Sequence, residues 1–127
     1  MKVGILIMNE QKEAVIVLSK CGEVHKTFGI RAEKAESNRW LFTWAFPIRD
    51  DSAKREGYDK STISGNIEYT AEYPGCPYCS QKYFTVCSCG HICCTILRNG
   101  IFTCEWCGAQ GTIGEYGGES IKAGEDR

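Results

Sequence analysis

Residues 76 to 108 read CPYCSQKYFTVCSCGHICCTILRNGIFTCEWCG and hold eight of the chain's nine cysteines. With Cys93 set aside, seven of them fall into closely spaced motifs: Cys76, Cys79, Cys87, Cys89, Cys94, Cys104 and Cys107. A Cys-x2-Cys turn places two thiolates on one tight loop, where both reach a tetrahedral ion at about 2.3 Å, and a glycine after the second cysteine accommodates a positive φ. This spacing predicts zinc binding rather than disulfides.

The composition indicates a small protein of a reducing compartment. Fifteen basic and sixteen acidic side chains give a net charge of −1, without the basic excess that phosphate binding requires, so nucleic-acid binding is not favoured. The apolar run at residues 3–8 is too short for a signal peptide, and no stretch is long enough to span a bilayer. Many cysteines without a secretory signal indicate that thiols stay reduced, so we expect a cytoplasmic protein without membrane attachment.

The first 73 residues predict a β-rich subdomain, because their apolar residues are β-branched or aromatic and stand in short runs between polar turns. Five strands are expected in it, at residues 3–7, 14–18, 27–31, 39–48 and 63–70. The segment from Asp50 to Tyr58 has capping residues at both ends and predicts one short helix.

The fourth of these strands carries an alternating row of rings: Trp40, Phe42, Trp44 and Phe46. Alternate residues of a strand share one face, so we expect all four rings on one side of the sheet. A row of rings can also stack on the bases of a single-stranded nucleic acid. We favour the core, because so short a chain has few other large residues with which to build one.

Residues 74–113 predict a zinc-ribbon-like module with short strands at 83–86, 92–97 and 101–103. Asn99-Gly100 is typical of a tight type I′ hairpin between the last two. So small a sheet buries little apolar surface, and a bound zinc would contribute on the order of 10 kcal/mol to its folding. Residues 114–127 lack a hydrophobic pattern and predict a flexible tail. The expected fold is therefore mostly β, a small β-sheet subdomain packed on a zinc-ribbon-like module.

Seven ligands are one short of two tetrahedral sites, so an eighth is needed for two zinc ions. Cys21 is the preferred candidate, because Lys20-Cys21-Gly22 follows a predicted strand and repeats the Cys-Gly ending of two of the turns. Its alternative role is a small buried apolar residue. His25 is expected to be an exposed loop residue, with ligation as the alternative. His91 is expected beside a site or exposed.

The spacing leaves two divisions of the eight ligands open. In one, Cys87 and Cys89 share an ion with Cys104 and Cys107, and Cys21 joins the remaining three. In the other, Cys87 and Cys89 join the pair Cys76 and Cys79, and Cys21 completes a site with Cys94, Cys104 and Cys107. Neighbouring residues of a strand point to opposite faces, so only one of Cys93 and Cys94 can face a given ion.

Three stretches carry a resemblance to a known family: Tyr73 to Cys79, Val86 to Gly90, and Thr103 to Gly108. They resemble the TerY C-terminal metal-binding domain, found after von Willebrand factor A modules in bacterial tellurium-resistance and stress-response proteins. Shorter upstream stretches, Phe28 to Arg31, Trp44 to Phe46 and Arg55 to Tyr58, extend the likeness along nearly the whole chain.

The resemblance implies the same seven motif cysteines as the ligand set and makes Cys93 a bystander. It also implies protein partners in stress-response complexes, such as a von Willebrand factor A module, a kinase or a phosphatase.

The functional hypothesis is a zinc-stabilised, non-catalytic interaction module, because a fully coordinated structural zinc leaves no open position for a substrate. The sequence contains no phosphate-binding glycine loop and no recognisable Ser/His/Asp constellation. One alternative is a nucleic-acid-binding ribbon, although Lys82 and Arg98 are the only basic residues between Cys76 and Cys107, too few for strong phosphate binding. Another is a thiol- or metal-sensing protein with Cys93 as the reactive thiol.

Overall fold

The fold is that of a computed structural model of the chain, which describes residues 13–36, 39–49, 61–116 and 120–125. The described ranges contain eleven strands: β1 (Ala14–Lys20), β2 (Thr27–Glu36), β3 (Arg39–Pro47), β4 (Ser61–Ile63), β5 (Asn66–Tyr69), β6 (Phe84–Val86), β7 (Ile92–Cys94), β8 (Leu97–Arg98), β9 (Ile101–Thr103), β10 (Gln110–Gly111) and β11 (Ile121–Glu125). The prediction of a mostly β fold is confirmed. The strand expected at 3–7 and the helix expected at 50–58 lie outside the described residues. In the described ranges, no helix is long and apolar enough to cross a membrane.

Eight of these strands form one sheet, with β4, β11, β1, β2, β3 and β5 in that order, β7 paired with β1, and β6 paired with β7. The strand β1 is central. One edge pairs antiparallel with β2, and the other is shared between β11, beside Val15 to Val17, and β7, which runs parallel beside Ser19 and Lys20. Residues 15–19 are all buried, so both faces of β1 are covered, which explains its continuous apolar run.

A β-bulge in β3 reverses the expected alternation of its aromatic row. Arg31 pairs with Trp44 while Ala32 pairs with Phe42, so Thr43 is an extra residue, and its hydroxyl donates to the Arg31 carbonyl at 3.3 Å. Before the bulge, Trp40 and Phe42 are buried, as predicted. After it, Ala45 takes the inward position and Trp44 is 53% exposed. The prediction of a single inward row is therefore wrong for Trp44, because one inserted residue exchanges the two faces.

The core of the large sheet draws on both halves of the chain. The Phe42 ring lies 4.7 Å from that of Phe84 and 5.9 Å from that of Tyr73. Phe28 meets Tyr78 edge to face at 6.3 Å. The strands β6 and β7, which follow the predicted boundary at residue 73, thus extend the sheet that begins with β1.

The strand β11 lies inside the sheet, between β1 and β4. Ile121 and Ala123 are fully buried, and the Lys122 amide donates to the Gly90 carbonyl at 2.7 Å. This corrects the expectation of a flexible tail over residues 114–127 for its last described part, residues 120–125. A five-residue strand with two apolar side chains has little local signal, and the free edge of β1 is what orders it.

The remaining strands, β8, β9 and β10, form a separate three-stranded sheet. Asn99 and Gly100 connect β8 to β9 with φ of 57° and 77°, the left-handed pair that a type I′ turn needs. The predicted hairpin is therefore confirmed. Its sheet packs around a small cluster of buried residues, Cys93, Phe102 and Cys104.

Candidate metal centres

The structure gathers eight of the nine cysteines into two groups of four. The first cluster consists of Cys21, Cys76, Cys79 and Cys94, and the second of Cys87, Cys89, Cys104 and Cys107. Within each cluster all four sulfur atoms lie within 4.8 Å of one another. Of the two divisions that the spacing left open, this is the one in which Cys87 and Cys89 join Cys104 and Cys107.

The first cluster forms where β1 and β7 end side by side. Lys20 is the parallel partner of Cys93, so the next residues along the two strands, Cys21 and Cys94, are brought together. The turn that carries Cys76 and Cys79 packs against both, and Cys21, Cys76 and Cys94 belong to the core of the large sheet. The second cluster forms where the turn after β6 meets the turn after β9.

The distances between the sulfur atoms match a tetrahedral metal site. Cys79 Sγ lies 3.7 Å from Cys94 Sγ, Cys87 Sγ 3.6 Å from Cys107 Sγ, and Cys89 Sγ 3.8 Å from Cys104 Sγ. Four sulfurs at about 2.3 Å from one zinc stand about 3.8 Å apart, whereas a disulfide requires about 2.05 Å. None of the nine cysteines forms a disulfide. Each cluster could therefore hold one ion.

Three turns of the same geometry supply one cysteine each at their first position. The carbonyls of Cys21, Cys76 and Cys104 accept the amide of the residue four positions later, at 2.8, 2.8 and 2.9 Å. Their amides donate to the carbonyl five positions later, at 2.9, 2.9 and 2.8 Å. The fourth residue after each cysteine has a positive φ: 61° at His25, 68° at Ser80 and 81° at Gly108. Only the last is the glycine that the sequence led us to expect.

The turn at Cys21 differs from the other two at the residue three positions after its first cysteine. Val24 stands where Cys79 and Cys107 stand in the other turns, and Cys94 from β7 supplies the sulfur instead. The Cys21 turn thus has the first cysteine of a Cys-x2-Cys motif but not the second, so cysteine spacing alone does not identify it as a metal-binding turn. The Gly22 amide, on this turn, points at the Cys94 sulfur at 3.4 Å.

Backbone amides also point at the first sulfur of each turn. The amides of Glu23, Tyr78 and Trp106 lie 3.4 Å from the sulfurs of Cys21, Cys76 and Cys104, respectively. Each of these first sulfurs therefore has a backbone donor directed at it from its own turn.

One thiol in each cluster has a lowered pKa. The hydrogen bond with Cys94 lowers the pKa of Cys76 to about 5 and raises the pKa of Cys94. In the second cluster, burial acts to raise the pKa of Cys87, but the Cys89 amide and the Cys107 thiol outweigh it and bring the pKa to about 7. Each cluster thus contains a sulfur whose thiolate form, the form that binds a metal, is favoured near neutral pH.

Cys93 lies outside both clusters. Its thiol is buried and accepts the Glu105 amide at 3.3 Å, and burial raises its pKa to about 12. Burial also limits the access of oxidants and alkylating reagents to the Cys93 sulfur.

Both histidines also lie outside the clusters. The His25 ring is exposed, with Nδ1 2.7 Å from Glu105 Oε1. The His91 ring stacks on Trp106, with ring centres 4.2 Å apart, and its Nδ1 lies 3.9 Å from Cys89 Sγ. His91 therefore borders the second cluster, and Lys20 Nζ stands 4.5 Å from the centre of the same Trp106 ring.

The chain matches the sequence model of a known protein family. The model, described as the TerY-C metal binding domain, covers residues 3–126. No curated protein and no solved structure matches the chain. A match along almost the entire length, together with two closed groups of four cysteines, shows that the chain belongs to the TerY-C metal-binding domain family.

Proposed function

We propose that this chain is a zinc-stabilised, non-catalytic module that binds protein partners. The observation that supports the zinc assignment is the sulfur geometry: one pair of sulfurs in the first cluster is 3.7 Å apart, two pairs in the second are 3.6 and 3.8 Å apart, and all four sulfurs of each cluster lie within 4.8 Å of one another. Zinc is the common ion of four-cysteine tetrahedral sites and needs no redox chemistry to stay bound. The proposed ligands are the eight clustered cysteines, four to each of two ions.

A non-catalytic role is supported by the closed character of both clusters. Four thiolates fill the coordination shell of a tetrahedral ion, and a catalytic zinc instead keeps one position for water or substrate. In this proposal the ions act on folding, because they join strands and turns that bury little apolar surface of their own.

The interaction role is supported by apolar side chains that the fold leaves in solvent. Tyr83 is 67% exposed and Trp44 is 53% exposed, and aromatic residues are enriched where proteins bind one another. Given the family, the proposed partners are a von Willebrand factor A module, a kinase or a phosphatase of a tellurium-resistance or stress-response complex in the cytoplasm.

Native mass spectrometry of the reduced protein tests the zinc assignment directly. The expected mass is that of the chain with two zinc ions, and removal of the ions by a chelator is expected to abolish the β-sheet circular dichroism. A protein that folds without any bound ion would overturn the proposal. Calorimetric titration with a purified A module, a kinase and a phosphatase of such a complex tests the interaction role. If none of the three gives a heat of binding, the interaction role is contradicted.

A further inference from the structure

The two clusters differ in how far their sulfurs are open to solvent. In the first cluster, Cys21, Cys76 and Cys94 are 0, 1 and 2% exposed, and Cys79 is half-buried. In the second, Cys104 alone is buried, Cys87 and Cys89 are half-buried, and Cys107 is exposed. A reagent in solution therefore meets the second cluster first, at Cys107.

The cleft beside the second cluster is also larger than the cavity beside the first. A cleft of about 390 Å³ is lined by Cys87 and Cys104 of the second cluster, between β6 and residues 109–116. Among the described residues, one cavity that reaches Cys94 of the first cluster has only about 30 Å³, space for little more than a water molecule. A chelator or a hydrated cation fits beside the second cluster and is excluded from this side of the first.

The clusters also hold different parts of the fold. Three cysteines of the first belong to the core of the eight-stranded sheet, where they join β1, β7 and the turn after Tyr73. The second lies with Phe102 and Cys93 in a smaller cluster under the three-stranded sheet. Opening the second cluster requires movement of the turn that carries the exposed Cys107. The most accessible sulfur of the first, Cys79, is half-buried on a turn that packs against the large core, so its release disturbs more of the fold and is the rarer event.

We propose that the second cluster is an exchangeable site for closed-shell thiophilic divalent cations, such as Zn²⁺ and Cd²⁺, and that the first cluster retains its ion. This inference rests on the proposed zinc-binding function. With an ion bound, Cys107 would be the first ligand to be replaced by a donor atom of an incoming chelator, because it is the one exposed sulfur of the eight. For an incoming cation, the same Cys107 thiolate would be the first to bond to it. No electron is transferred in either case.

The order of metal loss tests this inference on the full chain loaded with two equivalents of zinc. An excess of the chromogenic chelator pyridylazoresorcinol, with a phosphine to keep thiols reduced, is expected to take up one equivalent fast and the other slower by about tenfold or more. In parallel, iodoacetamide is expected to alkylate Cys107 before Cys79, with the thiolate displacing iodide, as read by peptide mass mapping.

Two variants assign the phases. Cys107→Ser is expected to lose the fast equivalent and keep the slow one, and Cys93→Ala, which changes a buried cysteine outside both clusters, is expected to keep both. Release of both equivalents in a single phase, or alkylation of Cys79 before Cys107, would overturn the inference even where a variant fails to fold, since both measurements use the unmodified chain. A chain that takes up no zinc would overturn the proposed function itself.

Discussion

His25 Nδ1 lies 2.7 Å from Glu105 Oε1 and so joins the turn of the first cluster to the turn of the second. His25 is the fourth residue after Cys21, and Glu105 directly follows Cys104. Two further contacts support the same junction: the Trp106 indole donates to the Ile92 carbonyl at 2.8 Å, and the Glu105 amide to the Cys93 sulfur at 3.3 Å. The two clusters are therefore neighbours: the first includes Cys94 of β7, and the turn of the second contacts Ile92 and Cys93 of the same strand.

The His25 ring is 62% exposed, so its hydrogen bond with Glu105 is expected to contribute at most about 1 kcal/mol. The backbone conformation has an effect of similar size, because φ at His25 is 61°, a conformation that costs a residue with a Cβ about 1 kcal/mol. We expect His25→Gly to be more stable than His25→Ala by roughly 0.5–1 kcal/mol. Both variants lack the hydrogen bond, so urea unfolding of the two zinc-loaded forms isolates the backbone effect. Equal stabilities would contradict the strained turn.

The place of Cys21 in the first cluster predicts a change in metal stoichiometry. Cys21→Ala removes one of four ligands, so we expect the variant to bind one zinc ion instead of two, measured by native mass spectrometry. Cys93→Ala is the matched control, because Cys93 is as buried as Cys21 but lies in neither cluster. Two ions bound to Cys21→Ala, or one bound to Cys93→Ala, would contradict the assignment.

The bulge at Thr43 predicts that two aromatic residues of one strand differ sharply in their contribution to stability. Phe42 is fully buried, so Phe42→Ala is expected to cost about 3–5 kcal/mol in the free energy of unfolding. Trp44 is largely exposed, so Trp44→Ser is expected to cost no more than about 0.5–1 kcal/mol. Chemical denaturation of the zinc-loaded variants measures both. Similar losses at the two positions would mean that the row faces inward without a bulge.

The buried position of Ile121 predicts that the end of the chain contributes to the stability of the large sheet. Ile121 pairs with Ile63 of β4, and Ala123 with Val17 of β1. Ile121→Ala is expected to cost about 2–5 kcal/mol, as measured by urea unfolding. Lys122→Ala, on the neighbouring half-buried position, serves as the control with a smaller expected loss. No loss in Ile121→Ala would support the flexible tail that the sequence pattern predicted.

Local features of the fold were predictable because short-range interactions produce them. The strands at 27–31 and 101–103, the Asn99-Gly100 hairpin and the two Cys-x2-Cys turns each depend on residues within a few positions of one another. Cys76 and Cys79 share a loop wherever that loop lies in the fold, so their spacing alone marks them as ligand candidates. The exposure of Trp44 was not predictable, since a single bulged residue leaves no trace in the polar and apolar pattern.

The sequence alone therefore determined that the chain is mostly β and that its cysteines stand in turns suited to a metal. Only the tertiary structure decided which cysteines share a site and which end of the chain enters the sheet. The physical reason is strand pairing over long separations. The parallel pairing of β1 with β7 sets Cys21 beside Cys94, and the open half of the same edge of β1 receives β11. These pairs join residues as distant in sequence as Val15 and Glu125, or Ser19 and Ile92, so no local pattern contains both partners.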